Sequence, residues 1–180
     1  MTWELKFMEW GNGWWRSPLL DGWVPWVTYL GSHYAVGVFI LLTWLLTKRK
    51  KVFLNLLFLY AIQSAVSYSI KFLVYRERPL LFLERVTSLP KSRGEILDPS
   101  FPSAHTFCAF MMATLLATWF PKYRWVFFIL AGLIGWTRIY LGLHYPTDVL
   151  VGGLLGYGIT KGFLFFRFRM DDGKASLRMS

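Results

Sequence analysis

Three short stretches of the chain carry side chains suited to handling a phosphate group. The first, Lys71-Phe-Leu-Val-Tyr-Arg76-Glu77-Arg78-Pro79, places cations at the end of an apolar run. Charges there are costly, so they either act on something or snorkel to the interface. Lys71 and Arg78 are seven residues apart, about two helical turns, and share a face if the helix continues. The second stretch, Phe101-Pro102-Ser103-Ala104-His105, opens another apolar run. Ser is a favoured N-cap, and the free N–H groups of a helix start attract anions. The third runs from Thr137-Arg138 to His144-Tyr-Pro-Thr-Asp148, where a carboxylate four residues from an imidazole could orient it. Each stretch alone has a plain structural reading: snorkelling cations, an ordinary cap, a histidine beside a helix-capping Asp. Together they suffice for phosphoryl transfer without metal or cofactor. Lys71, Arg78 and Arg138 would neutralise the equatorial oxygens, one His would attack phosphorus, and the other would protonate the leaving oxygen.

For these stretches to act together, the elements carrying them must bring them to one place. The chain has 180 residues, one domain's worth, and is 55% hydrophobic and 19% aromatic with ten Trp. That much apolar surface does not fit inside a soluble domain of this size. Several apolar runs approach the ~20 residues needed to cross a bilayer. The net charge of +10 would otherwise point to nucleic acid, but the cations sit mostly between apolar runs and at the C-terminus. The positive-inside rule and anionic headgroups account for that placement. The single cysteine, Cys108, lies inside an apolar run and reads as a small buried residue. No cleavable signal peptide is evident in the first 22 residues, which hold Glu4, Glu9 and Asp21.

The predicted architecture is an all-α, polytopic transmembrane bundle in a single domain, 1–180. Residues 1–22 form a Trp-rich interfacial segment, 23–166 the transmembrane core and 167–180 a cytoplasmic tail. Five spans are expected, at about 23–46, 52–74, 103–120, 125–141 and 148–166. Lys48-Arg49-Lys50-Lys51, the 121–124 turn and the basic tail alternate so that all three lie inside. The N-terminal segment and the long 75–101 stretch then lie outside. Within the latter, Leu80-Leu81-Phe82-Leu83 could dip into the interface as a lid or a plain anchor. Gly152 and Gly156 fit a small-xxx-small helix contact inside the bundle, and no feature fixes an oligomeric state. With this parity all three phosphate-handling stretches end at the same outer surface, a convergence that three separate structural roles would not produce.

The ordered set K-x6-R-P, P-S-x-H and T-R-x5-H-x3-D resembles the three signature motifs of the type-2 phosphatidic acid phosphatase family. The resemblance extends over about residues 23–166. It implies that His144 is the nucleophile forming a phosphohistidine, that Asp148 orients it, and that His105 is the general acid. It further implies that Lys71, Arg78, Ser103, Ala104 (through its N–H) and Arg138 hold the phosphate. Thr137 stands where the family usually has Ser, and Ala104 where many members have Gly. The family commonly has six spans; five are counted here beside the interfacial N-terminus, and a sixth would require residues 1–22 to enter the bilayer, against which their three acids argue. The implied protein is a multi-pass bacterial inner-membrane enzyme releasing phosphate from a membrane lipid at the periplasmic face. The implied lipid leans to lipid A 1-phosphate, with undecaprenyl pyrophosphate and phosphatidylglycerol phosphate as alternatives. A lipid-to-lipid phosphotransferase with the same site, and a non-catalytic transporter or lipid-binding protein, are the rival readings.

Overall fold

A computed structural model describes residues 2–83 and 98–176. Seven α-helices follow one another: α1 (Trp3–Trp14), α2 (Pro18–Tyr29), α3 (His33–Thr47), α4 (Lys50–Val74), α5 (Ala104–Trp119), α6 (Arg124–Tyr140) and α7 (Pro146–Ser176). Single 3-10 turns occupy Pro79–Leu81 and Pro121–Tyr123. There is no strand among the described residues. The centre of the bundle is α5, packed against both α6 and α7. Its 16 residues hold eight buried side chains, with Phe107, Cys108 and Met111 almost wholly enclosed.

The caps are local and readable. Thr2, Ser17, Ser32 and Ser103 each accept from a backbone N–H three residues on, closing the starts of α1, α2, α3 and α5. At its other end α4 stops in a left-handed residue, Tyr75 at φ 39°, whose N–H returns to the Lys71 carbonyl. The helix therefore does not continue to Arg78, and Lys71 and Arg78 do not share a helical face. They meet across the site instead.

The expected first span is broken. Residues 18–47 form two helices bent by 53°, with Leu30-Gly31-Ser32 at the corner. Ser32 caps the second helix there, and Gly31 leaves room for a close approach to α5: a Cβ on it would lie 2.8 Å from the His105 carbonyl oxygen. Two helices, α4 and α7, are long and apolar enough to cross a membrane, or three spans result if the bent pair counts as one. The expected third and fourth spans, α5 and α6, have 16 and 17 residues. At 1.5 Å per residue they reach about 24 and 26 Å, short of a bilayer core of roughly 30 Å. Pro102 and Pro121 bound α5, and Gly142, at φ 65°, turns the chain after α6.

The 1–22 segment does more than float on an interface. Trp3, Trp10 and Trp14 are exposed, as an interfacial helix requires, but Leu5 and Met8 are buried against Leu83 and Tyr145. Two of its three acids are held by the protein. Glu4 is buried, and Asp21 accepts from the Tyr140 hydroxyl at 2.7 Å. The Leu80–Leu83 stretch divides likewise: Leu80 and Leu83 pack inward, whereas Leu81 and Phe82 face out. The remainder of the expected lid or anchor, 84–97, lies outside the described residues, as does the end of the tail, 177–180.

The small-xxx-small pair on α7 is a contact within the bundle. A Cβ on Gly152 would sit 2.6 Å from the Ser103 carbonyl oxygen, and one on Gly156 2.5 Å from that of Phe107. Both obstacles are backbone of α5, so neither can swing aside. Gly152→Ala is expected to push the start of α5, and His105 with it, away from α7. Overpacking of this kind costs about 1–3 kcal/mol. A lowered melting temperature in detergent, with phosphate release down by roughly tenfold (1.4 kcal/mol per decade), checks it. Gly158→Ala, where an added Cβ meets nothing within 4 Å, should leave both unchanged.

Candidate active site

The ends of α4, α5 and α6 and the start of α3 surround one cavity of about 410 Å³. Its wall includes Lys71, Arg78, Ala104, His105, Arg138 and His144, so six of the eight residues singled out from the sequence meet there. The remaining two, Ser103 and Asp148, are fully buried behind the wall.

Each side chain is held by an identifiable neighbour. Lys71, on the last turn of α4, donates to an Asp98 carboxylate oxygen and to the Pro99 carbonyl. Arg78 follows in extended backbone, where its guanidinium fork donates to the Asp98 carbonyl at 2.8 Å, the same Asp98 carboxylate oxygen at 3.0 Å and the Leu143 carbonyl at 3.1 Å. Arg138, on the last turn of α6, is fixed from α2 by a 2.9 Å bond to the Thr28 hydroxyl. Three cations thus share the wall with one carboxylate, Asp98, an arrangement that favours a multiply charged anion.

His144 lies in the turn between α6 and α7. Its Nδ1 is 2.6 Å from the Ser100 carbonyl oxygen, an acceptor only, so Nδ1 carries the proton and Nε2 keeps its lone pair. Nε2 lies 3.4 Å from Nη1 of Arg78. Burial, reinforced by the charges of Arg78, Arg138 and Lys71, holds the imidazole well below the usual histidine range. It is neutral at neutral pH, the state a nucleophile needs.

Asp148 does not hydrogen-bond this imidazole: its Oδ2 is 3.7 Å from Nδ1. The same oxygen accepts from the Tyr145 N–H at 2.8 Å, reaching back from the first turn of α7 in the manner of a capping box. Its other oxygen accepts from Arg76 at 2.6 Å. The expected orienting contact therefore belongs to the Ser100 carbonyl, and Asp148 shapes the turn that presents the ring. Ser103 also acts from behind the wall. Its hydroxyl accepts from the Thr106 N–H and hydroxyl, and its own N–H donates to the Asp148 carbonyl at 3.1 Å. The Thr137 hydroxyl donates back to the Ile134 carbonyl, so the residue in the expected Ser position is buried in its own helix.

The model of the PAP2 superfamily matches residues 52–171. The chain belongs to the PAP2 superfamily. Among relatives within reach, the undecaprenyl-diphosphatase BcrC of Bacillus subtilis is 37% identical over 103 residues, 57% of this chain and 50% of its own. A lipid A 1-phosphatase of Rhizobium etli is 38% identical over 63 residues, 35% of this chain and 27% of its own. The crystal structure of Aquifex aeolicus LpxE superposes with a TM-score of 0.76 at 30% identity, covering 91% of this chain and 96% of that one. The match thus spans about half the length of BcrC but nearly the whole of a solved PAP2-type fold.

Several members of this PAP2 site escaped the sequence reading. Asp98 looked like one charge of a balanced loop, yet it bridges the two cations of the first motif. Ser100 contributes a backbone carbonyl, which residue type does not signal. His33, the first residue of α3, enters the cavity wall with Nδ1 2.8 Å from the Tyr60 hydroxyl. Buried Glu4 and half-buried Arg76 form a support: Arg76 pairs with Glu4 and Asp148 and lies 3.7 Å over the Tyr145 ring. Glu4 also accepts from the Thr147 N–H and hydroxyl, closing the start of α7 from α1. One signal was present: Arg76 and Arg78 are two apart, which in extended backbone puts them on one side.

Proposed function

We propose that this chain is a metal-independent lipid phosphatase that works through a phosphohistidine on His144. The observation that carries the reading is the state of that ring. Nδ1–H is tied to the Ser100 carbonyl, and Nε2 shares a cavity with Lys71, Arg78, Arg138 and His105. In the first step the Nε2 lone pair forms a bond to phosphorus, the bond from phosphorus to the lipid oxygen breaks, and His105 gives that oxygen its proton. In the second, water attacks phosphorus, His105 takes the water's proton, and the N–P electron pair returns to Nε2. The three cations bear the charge that spreads over the phosphoryl oxygens. An arriving phosphate raises the proton affinity of His105 and so favours the acid form it needs.

The substrate we propose is a membrane lipid carrying a terminal phosphate or diphosphate. One relative is named for undecaprenyl diphosphate and another for lipid A 1-phosphate, and they support the two lipids equally. By charge distribution the site faces the periplasm or cell exterior. Lys48 to Lys51 lie at the far end of α4 from Lys71, and the positive-inside rule puts such a cluster in the cytoplasm. Presenting the purified protein with lipid A 1-phosphate, a prenyl diphosphate and phosphatidylglycerol phosphate, each labelled in the terminal phosphate, tests the reading. Label appearing as inorganic phosphate from one of them is expected. Label appearing only in a second lipid would make the chain a phosphotransferase, and no release from any would refute the proposal.

The buried state of His144 sets a pH dependence. The reactive form is neutral, and the ring's pKa in the free enzyme lies below the ordinary histidine value of 6.5. Lowering the pH through 6.5 therefore leaves the nucleophile unprotonated. The acid limb of kcat/KM should fall below pH 6.5 once the substrate's own ionisation near 6 is allowed for. An acid limb above 6.5 would show that another group governs the reaction.

A further inference from the structure

A second and larger cavity, about 820 Å³, lies between α5, α6 and α7 and shares no lining residue with the phosphate site. Its walls are apolar, with Phe110 of α5, Phe128 and Gly132 of α6, and Gly153 of α7 among them. Two cations, Arg124 and Lys161, stand at one end. Arg124 is 14 residues before Arg138 on α6, and Lys161 is 15 residues after Pro146 on α7. At 1.5 Å per residue both are about 21–23 Å from the phosphate-site end, so they share one level at the other end of the bundle. The Arg124 guanidinium lies 5.1 Å over the Trp125 ring and the Lys161 ammonium 5.9 Å over the Tyr157 ring. Aromatic residues and cations paired in this way mark the headgroup level. From Val149 to Lys161 the groove follows α7 for about 18 Å, long enough to seat much of an extended acyl chain.

We propose that this groove binds an anionic phospholipid of the leaflet opposite the phosphate site. The headgroup phosphate lies against Arg124 and Lys161, and an acyl chain lies along Phe110 and Phe128. The shape takes a chain, and the paired charge selects an acidic headgroup over a zwitterionic one. The phosphate cavity has a separate wall, with residues of α2, α3 and α4, among them Tyr29, His33 and Tyr68. Bound there, the lipid clamps α5 and α6, which carry His105 and Arg138, and α7, whose start follows the His144 turn.

The test is thermal unfolding of the full chain in detergent, with phosphatidylglycerol or phosphatidylcholine added at equal concentration. Phosphatidylglycerol should raise the melting temperature by several degrees more than phosphatidylcholine. The double variant Arg124→Gln, Lys161→Gln should lose that difference. Gly132→Leu keeps both charges but fills the groove, and a Cβ at Gly132 meets nothing within 4 Å, so the variant should fold and also lose the difference. Removing two other cations at the same surface, Lys48→Gln with Lys50→Gln, should preserve it. Equal stabilisation of the wild type by both lipids would overturn the proposal. So would a difference that survives in Gly132→Leu, or one that the Lys48 and Lys50 variant abolishes.

Discussion

Replacing His144 by Ala is expected to abolish turnover, by on the order of 10⁴-fold or more, since a covalent mechanism has no second route without its nucleophile. The fold should survive. The His144 ring is tied through Nδ1 to the Ser100 carbonyl and lies 3.4 Å from Arg78 through Nε2, and the turn around it is held separately by Asp148 on the Tyr145 N–H and by Glu4 on Thr147. The variant should still bind an unreactive phosphate analogue, because Lys71, Arg78 and Arg138 remain. Phosphate release assayed beside a binding measurement separates the two properties. Wild-type release from His144→Ala would remove the nucleophile from the account, whereas loss of binding together with release would point to a collapsed site.

Arg78→Ala should cost the next largest factor, about 10²–10³ in kcat, the range for removing one preorganised charge donor from a developing anion. Arg78 joins the first and third motifs: it reaches Asp98, the Leu143 carbonyl and, at 3.4 Å, Nε2 of His144. Its loss removes a transition-state charge and also leaves the Leu143 carbonyl without that donor. Arg78→Lys should recover little, since an ammonium cannot reproduce the planar fork that spans these acceptors. Steady-state kinetics of the two variants decide the matter. A rise in KM with kcat unchanged would mean that Arg78 only gathers substrate.

The convergence of the three motifs was legible in the sequence because each sits where an apolar run begins or ends. Counting runs then fixes which ends share a surface, and Lys71, Arg78, His105, Arg138 and His144 do line one cavity. Features that depend on geometry without a residue-type signature were not legible. The 18–47 run reads straight through its corner, although Gly31-Ser32, a turn residue before a favoured N-cap, marks it; the approach of Gly31 to the His105 carbonyl is visible only in the structure. That corner brings His33 into the cavity wall. The His144-x3-Asp148 spacing suggested a direct carboxylate–imidazole bond, but helical geometry at the start of α7 turns the carboxylate to its own cap, and a backbone carbonyl takes the ring. The three acids of the N-terminal segment read only as keeping it out of the bilayer. Glu4 is buried because Arg76 and the first turn of α7 supply the charge and donors it needs.

The most direct test of the account is to trap the phosphoryl group on the protein. Purified enzyme mixed with a lipid substrate labelled in its terminal phosphate, quenched in alkali within the first turnover and digested, should yield one labelled peptide. The label should sit on His144, be lost on acid treatment, and be absent from His144→Ala. Label on His105, or rapid phosphate release with no labelled protein at any quench time, would contradict the proposed phosphohistidine and the division of labour between the two histidines.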